Sequence, residues 1–236
     1  MAKTSIIFVA GGWHTEFHLQ PITPYLEAYG YRMVPVKLPT SGHSDPSPSI
    51  KANVTHIRAI LQAEIDAGHR VCLIGHSVSG QSVALAANEF LASASADESA
   101  RLVHIIFISC FLNAVRATEG STWFAIDFAT MDATVASPYE VFYNNMSPEA
   151  AAPFVAALDA NRAEMPPEDV GDLWRTKVKG TYFVCRNDKA IPPERQRLEA
   201  EECGMKLVEI EMDHCPFVSQ PREFAEELHK ALQAAA

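Results

Sequence analysis

Hydrophobic residues fall in six short runs that are too continuous for an amphipathic helix and read as buried strands: Ser5 to Ala10, Tyr31 to Lys37, Arg70 to Ile74, Leu102 to Ser109, Val178 to Cys185 and Lys206 to Glu211. Between them the period changes to that of a helix. After Ser49, a fitting cap, Val54, Ile57, Ile60, Leu61 and Ile65 recur at three- and four-residue spacing until Gly68 stops the run. Small residues from Gln81 to about Ser93, then Pro193 to Cys203, and Pro221 to Leu232 with Phe224, Leu228 and Leu232 on one face, predict further helices. Continuous apolar strands alternating with helices predict an α/β fold, a mostly parallel sheet covered on both faces.

The stretch 111–173 breaks this rhythm. It carries no clear strand pattern and is rich in aromatics and Met, including Trp123, Phe124, Phe128, Met131, Phe142, Tyr143, Met146 and Phe154. Pro148-Glu149 and the spacing of Phe154, Val155 and Leu158 predict at least one helix, so the segment reads as a helical cap inserted into one domain spanning 1–236.

The segment Val71-Cys72-Leu73-Ile74-Gly75-His76-Ser77-Val78-Ser79-Gly80 runs from a strand through a sharp turn into a helix. Small residues two before and two after Ser77 are what a strained nucleophile turn needs, because larger side chains would clash there. Ser79 stands where glycine is usual. The same window also reads as a phosphate-binding loop with Gln81 in the lysine position. Gln81 cannot supply that charge, and the following strand, ending Phe107-Ile108-Ser109, has no aspartate for magnesium.

A serine nucleophile requires a base and a carboxylate that orients it. His214 follows the last strand and Asp188 follows the one before, so both are expected at the same sheet edge as Ser77. Asp213 is the local rival for the acid, but a chain neighbour usually points away. Two backbone N–H groups should hold the oxyanion: that of Val78, and that of Trp13 or Gly12 after the Gly11-Gly12 turn. Trp123, Phe124, Phe128 and Phe142 are candidates for an apolar pocket wall. His14-Thr15-Glu16-Phe17-His18 spaces two histidines four apart, but the glutamate is misplaced for a zinc protease and no third ligand is evident; these residues are expected at the pocket entrance or capping a helix.

In this order of strand, elbow, acid loop and histidine loop, the chain resembles the α/β-hydrolase superfamily, in particular small cofactor-free esterases of the plant methylesterase and hydroxynitrile-lyase-like group and their microbial relatives. Phe8 to His14 is similar to that group's oxyanion segment, with Gly11 replacing a histidine. Leu38-Pro39-Thr40-Ser41-Gly42-His43-Ser44 and Asp213-His214 followed by Pro216-Phe217 resemble two of its loops. The resemblance implies Ser77 as nucleophile, His214 as base, Asp188 as acid, and Trp13 and Val78 as oxyanion donors. The lyase branch has a lysine directly after the histidine; Cys215 stands there in this chain.

Composition narrows the partners. Among 236 residues, 19 are Lys or Arg and 29 are Asp or Glu, a net charge of −10, which argues against nucleic-acid binding. No apolar run is long enough for a signal peptide or membrane span, and five scattered cysteines without a C-x-x-C pair fit reduced core thiols. The expectation is a cytoplasmic enzyme, monomeric or homodimeric, that takes a small-molecule ester with no metal or other cofactor; lyase or carbon–carbon bond chemistry with His214 as base, or ligand reception, are the alternatives.

Overall fold

The computed structural model describes residues 4–42, 49–112, 122–162 and 170–235. Six parallel strands form the central sheet: β1 (Thr4–Val9), β2 (Arg32–Val36), β3 (Arg70–His76), β4 (Leu102–Ile108), β8 (Gly180–Cys185) and β9 (Lys206–Ile210). Their spatial order is β2-β1-β3-β4-β8-β9. The chain leaves β1 toward one edge through α1 (Thr23–Ala28) and β2, then returns across β1 through α2 (Ile50–Asp66) to β3. The connections therefore diverge between β1 and β3, and Val9 pairs with Gly75 at their carboxyl ends. Open α/β sheets hold their ligands at such a divergence.

Why these runs form strands is visible in their alternation. Ile6, Phe8, Cys72, Ile74, Ile106, Ile108, Phe183 and Cys185 are buried in one layer with Phe217, Phe224 and Leu228 from α9 (Pro216–Ser219) and α10 (Pro221–Ala235). Their neighbours Ile7, Val9, Val71, Leu73, Ile105, Phe107, Tyr182 and Val184 are buried in the opposite layer with residues of α2 and α3 (Ser79–Ser93). A period of two with both faces apolar is what a sheet between two helical layers demands. The Ser49 hydroxyl caps α2 by accepting from Ala52 N, and Val54, Ile57, Leu61 and Ile65 form its buried stripe.

Strand β3 continues to His76 and α3 begins at Ser79, two residues beyond and two residues before the expected ends. The turn is this tight because Gly75 and Gly80 let strand and helix touch. A Cβ on Gly75 would lie 3.2 Å from Gly80 Cα, and one on Gly80 would lie 2.8 Å from Cys110 Cβ.

Between β4 and β8 the chain departs from the sequence expectation. Besides α5 (Pro138–Phe142) and α6 (Pro148–Ala156), the segment holds a three-stranded antiparallel sheet of β5 (Phe124–Asp127), β6 (Asp132–Val135) and β7 (Asn161–Arg162). These strands have four, four and two residues and are only partly buried, too short for alternation to register. Helix α6 lies where Pro148 and the Phe154 spacing predict one, capped by the Ser147 hydroxyl. His43 and Ser44 of the expected post-strand loop, and 113–121 and 163–169 of the insertion, lie outside the described residues. No helix among the described residues is long and apolar enough to cross a membrane.

Candidate active site

Ser77 occupies the turn between β3 and α3 with φ 55°, a left-handed conformation that a non-glycine residue adopts only when its surroundings enforce it. The enforcement is explicit. Ser77 N–H donates to Ile108 O at 3.1 Å, and Ser77 O accepts from Gly80 N at 3.2 Å and Phe111 N at 3.4 Å. Ser79 has its own use: its hydroxyl accepts from His76 N at 2.8 Å and lies 3.0 Å from Val9 O and 2.8 Å from His76 O, tying the turn to the end of β1. A hydroxyl at this position thus supplies a bond that glycine could not.

Asp188 lies in the loop after β8. Its Oδ1 accepts from Ala190 N at 2.7 Å and Ile191 N at 2.9 Å. Its Oδ2 accepts from Gln196 Nε2 at 3.0 Å, from the Ser109 hydroxyl, and from His214 Nδ1 at 2.9 Å. A carboxylate can only accept, so Nδ1 carries the proton and Nε2 of His214 keeps its lone pair, bonded to no group among the described residues. Asp213 faces elsewhere, accepting from Cys215 N at 3.1 Å, Ser219 Oγ at 2.7 Å and Asn145 N at 3.0 Å. Ser109, at φ 45° beyond the end of β4, carries no sequence signal of a site role; its Oγ is also 3.2 Å from His214 Nδ1. Among the described residues the Ser77 hydroxyl forms no hydrogen bond, to His214 or to any other group.

The Gly11-Gly12 loop is pressed onto this turn: a Cβ on Gly11 would sit 2.8 Å from Ser77 Cβ and 2.8 Å from His76 Nδ1. Gly11 N–H donates to His76 Nδ1 at 3.2 Å, leaving His76 Nε2–H to donate to His214 O at 2.9 Å. One neutral imidazole therefore joins the loop after β1, the turn after β3 and the loop after β9. The N–H groups of Gly12, Trp13 and Val78 donate to no group among the described residues; Gly12 is buried, Trp13 half-buried, and Val78 lies exposed at the start of α3. Trp13 itself has φ 64°, its carbonyl accepting from Asp159 N at 2.8 Å and its indole donating to Ala133 O at 2.8 Å.

Residues 6–227 match the profile of the alpha/beta hydrolase family. The chain belongs to that family. This hydrolase is 23% identical over 233 residues to the alpha/beta hydrolase nvfD of Aspergillus novofumigatus, covering 94% of this chain and 93% of the relative. It is 26% identical over 261 residues to methylesterase 1 of Arabidopsis thaliana, covering 95% and 94%. Among solved structures, tomato methylketone synthase I in complex with 2-tridecanone superposes with a TM-score of 0.81 at 16% identity, covering 100% of both chains.

In the hydrolase, Phe142 stacks on the His214 ring at 5.4 Å and 26°, and Trp13, Trp123 and Phe142 touch one another with centroids 5.6–5.9 Å apart. Trp123 donates its indole N–H to Ala190 O at 2.8 Å, so both tryptophans have spent their polar handle on protein carbonyls. Phe124 is half-buried against Trp123 at 4.8 Å. Phe128, expected on the same wall, is instead 82% exposed, because it sits in the turn joining β5 and β6. His14 and His18 pack edge to face at 4.8 Å, with every ring nitrogen bonded within the protein.

Burial first, then the neighbouring histidines, hold the pKa of His14 and His76 well below the ordinary 6.5. Burial and two lysines bring His104 down to about 4. All are neutral in the fold and regain an ordinary pKa on unfolding, so the unfolded chain takes up more protons as the pH drops. Stability is therefore complete above about pH 6.5 and declines below it, each fully buried histidine adding up to about 1.4 kcal/mol per pH unit. Urea midpoints at a series of pH values between about 7.5 and 5 should fall accordingly; a flat profile would contradict this account.

Proposed function

We propose that this hydrolase is a serine esterase acting on a small, largely apolar carboxylic ester. The observation that carries the reading is the Asp188 to His214 Nδ1 hydrogen bond at 2.9 Å beside the left-handed Ser77 turn. Ser77 Oγ attacks the ester carbonyl while His214 Nε2 takes the hydroxyl proton. Asp188 keeps Nδ1 protonated and stabilises the imidazolium. The N–H of Val78 with that of Trp13 or Gly12 holds the developing oxyanion. Collapse expels the alcohol, which receives the proton from His214, and leaves an acyl-enzyme. Water activated by the same nitrogen then releases the acid. No step calls on a metal or nucleotide.

Trp13, Trp123 and Phe142 support an apolar substrate, the indole N–H groups of the two tryptophans being already bonded to Ala133 O and Ala190 O. Residues 111–173 serve as the cap of a single domain, with Phe142 resting on the catalytic imidazole. Ester chemistry accords with the name of methylesterase 1. Five buried free thiols support a reducing, cytoplasmic setting.

The test is peptide mass spectrometry after exposure to a serine-directed fluorophosphonate. One adduct per chain, on Ser77, is the expected outcome. An unlabelled folded protein, or an adduct on another serine, would refute the proposal.

A further inference from the structure

The oxyanion loop carries a histidine for which the reaction above has no use. His14 is 1% exposed, and its ring nitrogens meet three different parts of the molecule. Nδ1 is 2.7 Å from Gly12 O, a pure acceptor, so Nδ1 carries the proton. Nε2 then has a free lone pair, and Tyr143 Oη at 3.0 Å and Cys215 Sγ at 3.2 Å are the donors that reach it. Tyr143 caps the carboxyl end of α5 in the inserted segment, and Cys215 directly follows the catalytic imidazole. Rings of His18, His76, Phe142 and Phe217 pack against the imidazole edge to face at 4.8–6.3 Å, so it cannot swing away.

The bond to Gly12 O has a consequence one atom further along. Gly12 C=O and Trp13 N–H belong to the same planar trans peptide and point in opposite directions. Fixing the carbonyl on His14 therefore fixes the direction of the Trp13 N–H, which lies in the loop whose Gly11 is pressed onto Ser77 and is one of the three N–H groups that donate to no group among the described residues. Trp13 is left-handed at φ 64°, so its peptide is not held by intrinsic preference. Asp159 N, donating to Trp13 O at 2.8 Å, clamps the next peptide from the other side.

We propose that His14 is a positioning residue of the oxyanion hole: its Nδ1–H orients the Gly12–Trp13 peptide so that Trp13 N–H is preset for the oxyanion, while Tyr143 and Cys215 hold the ring in the tautomer this needs. The inference rests on the serine-esterase reading. It assigns the two histidines of the His14 to His18 segment to hydrogen bonding within the fold, and it makes the inserted segment, through Tyr143 and Asp159, part of the scaffold of the hole.

The experiment compares His14→Asn and His14→Gln. Asn places an amide N–H near the Nδ1 position and so keeps the donor to Gly12 O; Gln places its amide near Nε2 and gives that donor up. On a p-nitrophenyl ester, His14→Gln should lose about 100-fold in kcat with KM little changed, the effect of misdirecting one oxyanion donor. His14→Asn should recover to within about tenfold of the native enzyme. Equal losses in the two variants, or losses carried by KM, would reduce His14 to a space-filling role and overturn the proposal. Nitrogen NMR of the native protein at neutral pH supplies a readout independent of turnover: the Nδ1–H tautomer is expected, and an Nε2–H or doubly protonated ring would overturn it. If native Ser77 takes no fluorophosphonate, the esterase reading falls and this one with it. If Ser77 labels and both variants turn over alike, the esterase reading stands and the role of His14 falls.

Discussion

Replacing Ser77 by alanine should lower kcat on an activated ester by about a million-fold, the loss found when the nucleophile of a serine hydrolase is removed, and should leave stability within about 0.5 kcal/mol of the native value. Both halves follow from the structure. The hydroxyl makes no hydrogen bond among the described residues, so its removal breaks nothing in the fold. The left-handed backbone at φ 55° is held by the Ser77 N–H and C=O, which alanine retains. Ser79, two positions on, has the opposite profile: its hydroxyl is bonded to His76 N and lies against Val9 O, so it belongs to the fold. Steady-state rates and urea melts of the Ser77→Ala protein check both statements. Turnover surviving in a preparation free of native enzyme would mean that another group attacks the ester.

The parts of this architecture that are legible in sequence are those governed by local pattern. The sheet strands announce themselves because both faces are buried, which leaves runs such as Ile6 to Ala10 fully apolar. Ser77, Asp188 and His214 can be put at one sheet edge because strand order alone carries the carboxyl ends of β3, β8 and β9 there. The antiparallel strands of the insertion stay hidden, since four half-exposed residues such as Phe124–Asp127 have no period to detect and the turn after them uses a left-handed Met131 where a glycine would have flagged it. Phe128 is misjudged for a related reason: an aromatic residue reads as wall until the turn that exposes it is known. Ser109, His76 and His14 each bond a partner far along the chain, 79, 138 and 129 residues away, and nothing near them in the sequence foretells those contacts.

Three hydrogen bonds to the site's histidines share one property: each fixes a proton. Asp188 fixes the proton of His214 on Nδ1, Gly11 N–H fixes that of His76 on Nε2, and Gly12 O fixes that of His14 on Nδ1. Low pKa values at His14 and His76, caused first by burial, keep those two rings from adding positive charge next to His214, the imidazole that the proposed mechanism makes cationic. The site therefore holds its tautomers by hydrogen bonds that are already made before substrate arrives, which is what preorganisation requires.

Asp188→Asn tests the most heavily used of these contacts. The asparagine has one accepting oxygen to offer where the carboxylate has two. With that oxygen kept on Ala190 N and Ile191 N, the new NH2 faces Gln196 Nε2, Ser109 Oγ and His214 Nδ1, all of which had donated to Oδ2. The Ser109 hydroxyl can rotate and accept. Gln196 cannot turn over, because its Oε1 accepts from Cys185 N at 2.8 Å and its Nε2 donates to Ile191 O at 2.7 Å. His214 can accommodate the change only by moving its proton to Nε2, the nitrogen that takes the proton of Ser77 in the proposed mechanism. The expected result is a fall in kcat of about 10,000-fold with Ser77 and the oxyanion N–H groups still in place. A loss of about 1–3 kcal/mol in stability should accompany it, from the donor that Gln196 leaves facing another donor. Nitrogen NMR should find His214 as the Nε2–H tautomer in the variant. The same substitution at Asp213, whose carboxylate is occupied by Cys215 N, Ser219 Oγ and Asn145 N, should cost far less activity; a larger loss there than at Asp188 would transfer the orienting role to Asp213.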